Sequence, residues 1–146
     1  MMPNGDKPAD GPCTILVVDD EQDVRTYLSL VLSQHGFEVE TAETVTEAME
    51  ILRRLTVSLA CIDIMMPKES GISLYKQIKL HPDLCHMPVL IISGAEREND
   101  FDFRKYVPDR KLPPPDGYIE KPIVIDRFVG TVSSLTTGGK GSHVTQ

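Results

Sequence analysis

The chain has 146 residues, 40% of them hydrophobic, with a formal net charge of -7 and a pI near 5.0. That length supports one core rather than two, so one domain is expected, and the acidic balance argues against nucleic acid as the main partner. No apolar run is long enough to span a bilayer, and the first dozen residues lack the apolar centre of a signal peptide, so a cytoplasmic protein is expected.

Residues 1–12 are rich in Pro, Gly and Asp and are expected to form a flexible tail, with order beginning near Cys13. "TILVVDD" is a short continuous apolar run, the mark of a strand covered on both faces. Val24, Tyr27, Leu28, Val31 and Leu32 then recur at helical spacing up to Gly36, which is placed to stop a helix. "FEVETA" alternates as a strand does. Thr44 with Glu47 has the form of a capping box ahead of an apolar stripe of Val45, Ala48, Met49 and Leu52. "VSLACIDIM" is a second buried-type strand, "GISLYKQIKL" a helix, "MPVLIISG" a strand, "GYIEKP" a last short strand and "VIDRFVGTVSSL" a last helix. An ordered domain over 13–136 and a flexible tail over 137–146 follow.

Strands alternating with helices through short connections imply right-handed crossovers, hence a doubly wound α/β fold with a five-stranded parallel sheet and helices on both faces. In such sheets ligands bind beyond the carboxyl ends of the strands. Those ends carry Asp19 and Asp20, then Asp63, then Ser93, then Lys121. Two adjacent carboxylates repel and need a cation or open water. Three carboxylates in one pocket form a hard-oxygen site suited to Mg²⁺, and a lysine and a hydroxyl beside it can compensate the charge of a phosphoryl group. An aspartate there can act as nucleophile and form an acyl phosphate. Each residue alone has a plainer role: Asp19 and Asp20 as helix caps, Asp63 as a turn residue, Ser93 as a loop shaper, Lys121 as a solvated charge. Their convergence at the ends of four strands is what favours chemistry.

The three cysteines, Cys13, Cys61 and Cys85, are widely spaced and form neither a disulfide framework nor a zinc pattern; Cys61 is expected in the core. The four histidines, His35, His81, His86 and His143, show no metal-ligand spacing. The tail sequence "TTGGKGS" lacks the spacing and the flanking strand and helix of a phosphate loop.

Taken together, "VVDDE", "DIMMPKESG", "IISG" and "EKP" make the chain resemble a response-regulator receiver domain, the family of the bacterial chemotaxis regulator, over residues 13–136. The resemblance implies the flavodoxin-like receiver fold of two-component signalling. It also implies phosphoryl transfer to Asp63 from a histidine kinase or histidine phosphotransfer protein. Mg²⁺ would be held by Asp19, Asp20, Asp63 and the backbone carbonyl of Met65. Lys121 would pair with the phosphate, Ser93 would turn toward it, and the Lys121-Pro122 bond would be cis. Tyr118 sits where the family places an aromatic that changes rotamer on activation; a half-buried strand residue with a solvated hydroxyl is the equal alternative.

Between Ser93 and Lys121 the chain is longer than the family pattern. Pro108 and Pro113 to Pro115 limit any helix there, so a fourth helix is expected to be shortened or displaced, followed by a proline-rich loop over 107–117. Arg104, Lys105, Arg110 and Lys111 form a local basic cluster, read either as a solvated loop or as a docking element for a protein target. The leading functional expectation is a stand-alone phosphoaccepting switch rather than an enzyme, catalysing at most its own phosphorylation and dephosphorylation. Aspartyl-nucleophile phosphohydrolases on related folds place a second Asp two residues after the first, where this chain has Met65. A receiver portion of a longer regulator and a phosphorylation-independent scaffold are the alternatives. The residues two beyond Asp63 and Ser93, Met65 and Ala95, carry no group to orient an attacking water, which points to a long-lived acyl phosphate.

Overall fold

The structure, a computed structural model, describes residues 13–64, 71–94 and 112–141. Strands β1 (Thr14–Val18), β2 (Glu38–Ala42), β3 (Leu59–Asp63), β4 (Val89–Ser93) and β5 (Gly117–Glu120) form one parallel sheet in the order β2-β1-β3-β4-β5. Helices α1 (Gln22–Gln34), α2 (Val45–Arg54), α3 (Gly71–Leu80) and the C-terminal α4 (Ile125–Gly141) cover it on both faces. The doubly wound five-stranded α/β fold expected from the sequence is the one observed. The expected shortened or displaced helix between Ser93 and the prolines falls on 95–111, outside the described residues, as do Met65, Ala95, the basic cluster Arg104, Lys105, Arg110 and Lys111, and His143.

Side-chain alternation along the strands divides the core in two, because successive residues of a strand point to opposite faces. Ile15, Val17, Leu59, Cys61, Leu90, Ile92 and Ile119 pack against Leu28 and Leu32 of α1 and Phe128 and Val132 of α4. Leu16, Val18, Ala60, Ile62, Val89 and Ile91 pack against α2 and α3 on the other face. Both faces of β1, β3 and β4 are therefore apolar, which is why these strands read as continuous hydrophobic runs. Tyr27, expected on the buried stripe of α1, is 42% exposed instead, while Leu28, Val31 and Leu32 carry the packing.

The local signals operate as physical chemistry requires. Gly36 takes φ +90° just past α1, a conformation costly for other residues, and the amides of His35, Gly36 and Phe37 close onto the Leu32 and Ser33 carbonyls. Thr44 Oγ1 accepts from the Glu47 amide at 3.1 Å, while Glu47 Oε1 accepts from the amide of Glu43, one residue before the cap. Helix α4 runs past the boundary expected at 136. The hydroxyls of Thr136 and Thr137 donate back to the Val132 and Ser133 carbonyls, so their polar groups are satisfied inside the helix instead of ending it. Among the described residues no helix is long and apolar enough to cross a membrane.

The described end of the proline-rich connector is anchored. Leu112 is buried in the α2/α3 face, and the hydroxyl of the fully buried Tyr75 donates to the Pro113 carbonyl. Asp116 then grips the first residue of β4 through both its amide and its carboxylate: its N–H donates to the Val89 carbonyl, and its Oδ2 accepts from the Val89 amide at 2.8 Å.

Candidate functional site

Register alone brings the chemistry-bearing residues together. Val18 lies opposite Ile62, so Asp19 and Asp63 leave β1 and β3 at the same level. Asp63 is opposite Ile92 and Ser93 opposite Glu120, so Ser93 and Lys121 follow one step further across the edge. The Lys121 amide donates to the Ser93 carbonyl at 2.9 Å, carrying the ladder one residue beyond the strands. Helices α1, α2 and α4 leave from this same end, as the crossover topology dictates.

Asp19, Asp20 and Asp63 each direct a carboxylate oxygen into a cluster whose ligand atoms all lie within 4.8 Å of one another. Asp19 and Asp63 are 1% and 3% exposed, whereas Asp20 is only partly buried. Lys121 Nζ stands 3.4 Å from Asp19 Oδ2 and 3.4 Å from Asp63 Oδ2, with Glu21 Oε1 at 3.8 Å. The Glu21 amide donates to Asp19 Oδ1 at 2.9 Å. Burial lifts the Asp19 carboxyl to about 6 and the charge of Asp63 adds to this, while the Glu21 amide and Lys121 act in the opposite sense. Burial would lower Lys121, but the charges of Asp63 and Asp19 outweigh it and hold the ammonium above its ordinary value. Three hard carboxylate oxygens beside one ammonium fit a small divalent cation such as Mg²⁺, which takes one or two carboxylates and keeps several waters.

The second half of the site is steric. A Cβ on Gly71 would collide with the Asp63 carbonyl oxygen and come within 2.8 Å of Ile62 Cγ2. The start of α3 therefore packs directly behind the backbone of Asp63, which only glycine permits. At Gly94 a Cβ would stand 3.1 Å from Lys121 Cδ, so this small residue gives the lysine stem its path across the mouth of the site. The Lys121-Pro122 bond is cis, as the resemblance implied.

Of the residues singled out from the sequence, Asp19, Asp20, Asp63 and Lys121 meet in space, and Ser93, 5% exposed, closes the adjacent strand. Tyr118 lies on β5 with 43% of its surface exposed, next to the buried Ile119. Met65 lies outside the described residues. An apolar hollow of about 400 Å³, lined by Val24, Tyr27, Pro122 and Ile123, opens beside Lys121. Another cavity of about 530 Å³, lined by residues of the α2–β3 and α3–β4 connections, lies at the opposite end of the sheet and has no part in this cluster. Sequence reasoning missed Arg25, whose Nη1 donates to the Asp19 main-chain carbonyl at 2.7 Å. It sits in α1 with no motif to mark it, and its contact exists only once β1 and α1 are folded together.

A family model described as the response regulator receiver domain matches residues 15–133. Among curated relatives, a probable transcriptional regulator, ycf29, of Cyanophora paradoxa is 31% identical over 83% of this chain and 55% of its own length. Response regulator RR06 of Streptococcus pneumoniae is 32% identical over 83% of this chain and 52% of its own. The chain spans about half the length, or less, of the first curated relatives it matches. Among solved structures, a putative response regulator from Chloroflexus aurantiacus superposes with a TM-score of 0.73 at 25% identity, covering 86% of this chain and 98% of that one. NtrX from Brucella abortus gives 0.75 at 27% identity, covering 91% of this chain and 29% of that one.

Proposed function

Because the chain belongs to the response regulator receiver family of two-component systems, we propose that Asp63 accepts a phosphoryl group from a histidine kinase or histidine phosphotransfer protein, and that the phosphorylated form switches the binding of a downstream protein. The observation that carries this reading is the meeting of Asp19, Asp20 and Asp63 within 4.8 Å, with Lys121 Nζ 3.4 Å from two of them. A carboxylate oxygen of Asp63 attacks phosphorus; the new O–P bond forms as the P–N bond of the phosphohistidine breaks, and the imidazole nitrogen keeps the electron pair. Lys121 already lies against Asp63 and can follow the added negative charge. Asp19, Asp20, Asp63 and the Met65 carbonyl would hold Mg²⁺, which supplies charge neutralisation for the phosphoryl oxygens. Ser93 closes toward the phosphate and Tyr118 turns inward behind it, transmitting the change to the surface around β5. The apolar hollow beside Lys121 offers the donor a place to rest its own apolar surface. The exchange takes place in the cytoplasm, and the chain acts as a signalling domain rather than as an enzyme turning over a substrate.

The test is incubation with Mg²⁺ and acetyl phosphate, followed by intact-mass measurement. One phosphoryl group is expected on the wild type and none on Asp63→Asn. A gain that survives the substitution, or no gain in the wild type, overturns the assignment.

The length comparison favours a second arrangement in which this unit is the receiver portion of a longer regulator rather than a stand-alone switch. Immunodetection in source cells separates the two: a species near 16.2 kDa supports the stand-alone form, and a species of about twice that mass supports the longer one.

A further inference from the structure

Asp19 is held from every side by groups outside the acid cluster. Its amide donates to the Ala42 carbonyl at 3.1 Å, its Oδ1 accepts from the Glu21 amide at 2.9 Å, and its carbonyl accepts from Arg25 Nη1 at 2.7 Å. The other arm of the same guanidinium, Nη2, lies 3.4 Å from Glu43 Oε1 in the β2–α2 connection. Glu43 is itself positioned by the cap of α2, since its amide donates to Glu47 Oε1 at 2.8 Å. The Arg25 side chain is only 15% exposed while Glu43 is 55% exposed, so the bond to the Asp19 carbonyl is the stronger arm and the screened ion pair to Glu43 serves to orient the guanidinium. A planar fork can serve a carbonyl and a carboxylate at once, which an ammonium cannot do in the same geometry.

The consequence is local and geometric. The Asp19 carbonyl belongs to the peptide plane that joins Asp19 to Asp20, and peptide planarity makes that plane one rigid unit. Fixing its oxygen fixes ψ of Asp19 and φ of Asp20 together, and hence the directions from which both carboxylates leave the backbone. We propose that Arg25 is a positioning residue for the cation site: it touches neither metal nor phosphate, but by clamping the Asp19–Asp20 peptide between α1 and Glu43 it sets the tight geometry that Mg²⁺ demands. This rests on the reading of the acid cluster as a Mg²⁺ site given above.

The test uses the metals alone as probes. Mg²⁺ requires near-ideal octahedral geometry, whereas Ca²⁺ tolerates variable coordination. Loosening the clamp therefore weakens Mg²⁺ more than Ca²⁺. Calorimetric titration of the full chain with each metal should show Mg²⁺ affinity falling about tenfold in Arg25→Ala, as is common for residues behind metal ligands, with a smaller fall for Ca²⁺. Arg25→Lys retains the stem and one donor and should fall between, so it decides the matter if Arg25→Ala does not fold. A Mg²⁺-to-Ca²⁺ affinity ratio equal to wild type in a folded variant overturns the proposal, because general destabilisation weakens both metals alike. Failure of the wild type to bind Mg²⁺ overturns the cation-site reading itself, a different outcome from an unchanged ratio.

Discussion

At Asp19 the opening pair of acids resolves into two different environments. Asp19 is buried with its charge opposed by Lys121, while Asp20 keeps contact with solvent. The sequence "VVDDE" exposes the identity of both but not this division, because burial depends on how far β2 and β3 extend past them. The division has a measurable consequence in metal-free protein. The folded carboxyl of Asp19 titrates at about 6, above its reference value of 3.8, chiefly through burial. A raised acid binds its proton more tightly in the folded state, so its contribution to stability is full below 3.8 and is lost as pH rises through about 6. Asp19 should therefore draw the melting temperature in EDTA downward across that window, and Asp19→Asn should remove that contribution to the slope. An identical slope in the variant would show that the proton resides elsewhere. Arg25 marks the limit of what residue types alone reveal: its helix was readable, but its contact with the Asp19 carbonyl is a product of tertiary packing.

At the level of elements, periodicity was the reliable guide where one face or both faces are buried. The runs in β1, β3 and β4 read as two-sided strands because α1 and α4 cover one side and α2 and α3 the other. The helix ends were readable wherever a cap is chemical, as at Thr44 and Gly36. The end of α4 was not, because the back-bonding of Thr136 and Thr137 leaves no mark in a propensity pattern. The composition of the proline-rich connector reads as a loop. That composition gives no hint that Leu112 enters the core or that Tyr75 and Asp116 fasten the segment to α3 and β4. The anchoring makes Leu112 part of the fold rather than a surface residue. Leu112→Ala should cost about 2–4 kcal/mol by loss of buried methylenes and the space left behind. Tyr75→Phe should cost about 1 kcal/mol, since the freed Pro113 carbonyl lies on an exposed residue that water can reach. Urea unfolding midpoints at unchanged slope check both, and a Leu112→Ala cost below that of Tyr75→Phe would mean that the connector does not contribute to the core.

At the scale of the whole molecule, three carboxylates gather at the carboxyl end of the adjacent inner strands β1 and β3. Asp19 and Asp20 follow β1, and Asp63 ends β3, so a cation bound among them ties together segments far apart in the chain. Metal-free, the same end concentrates like charge in a partly desolvated place, which lowers stability, although Lys121 Nζ lies 3.4 Å from both Asp19 and Asp63 and offsets part of it. The expected effect of Mg²⁺ is therefore global rather than local. A ligand that binds the folded state alone stabilises it by about 2.7 kcal/mol at a hundred times its dissociation constant. For a domain of this size that corresponds to a melting temperature higher by roughly 10 °C. The increase should continue with the logarithm of Mg²⁺ concentration instead of levelling at saturation, because mass action keeps drawing on the unfolded state. Asp63→Asn should begin from a higher metal-free melting temperature, since one repulsive charge is gone, and respond less to Mg²⁺, since one ligand is gone. Scanning calorimetry of both proteins across a Mg²⁺ series decides it. A wild type and variant with parallel responses would place the cation away from Asp63 and break the link between the metal and the phosphoacceptor.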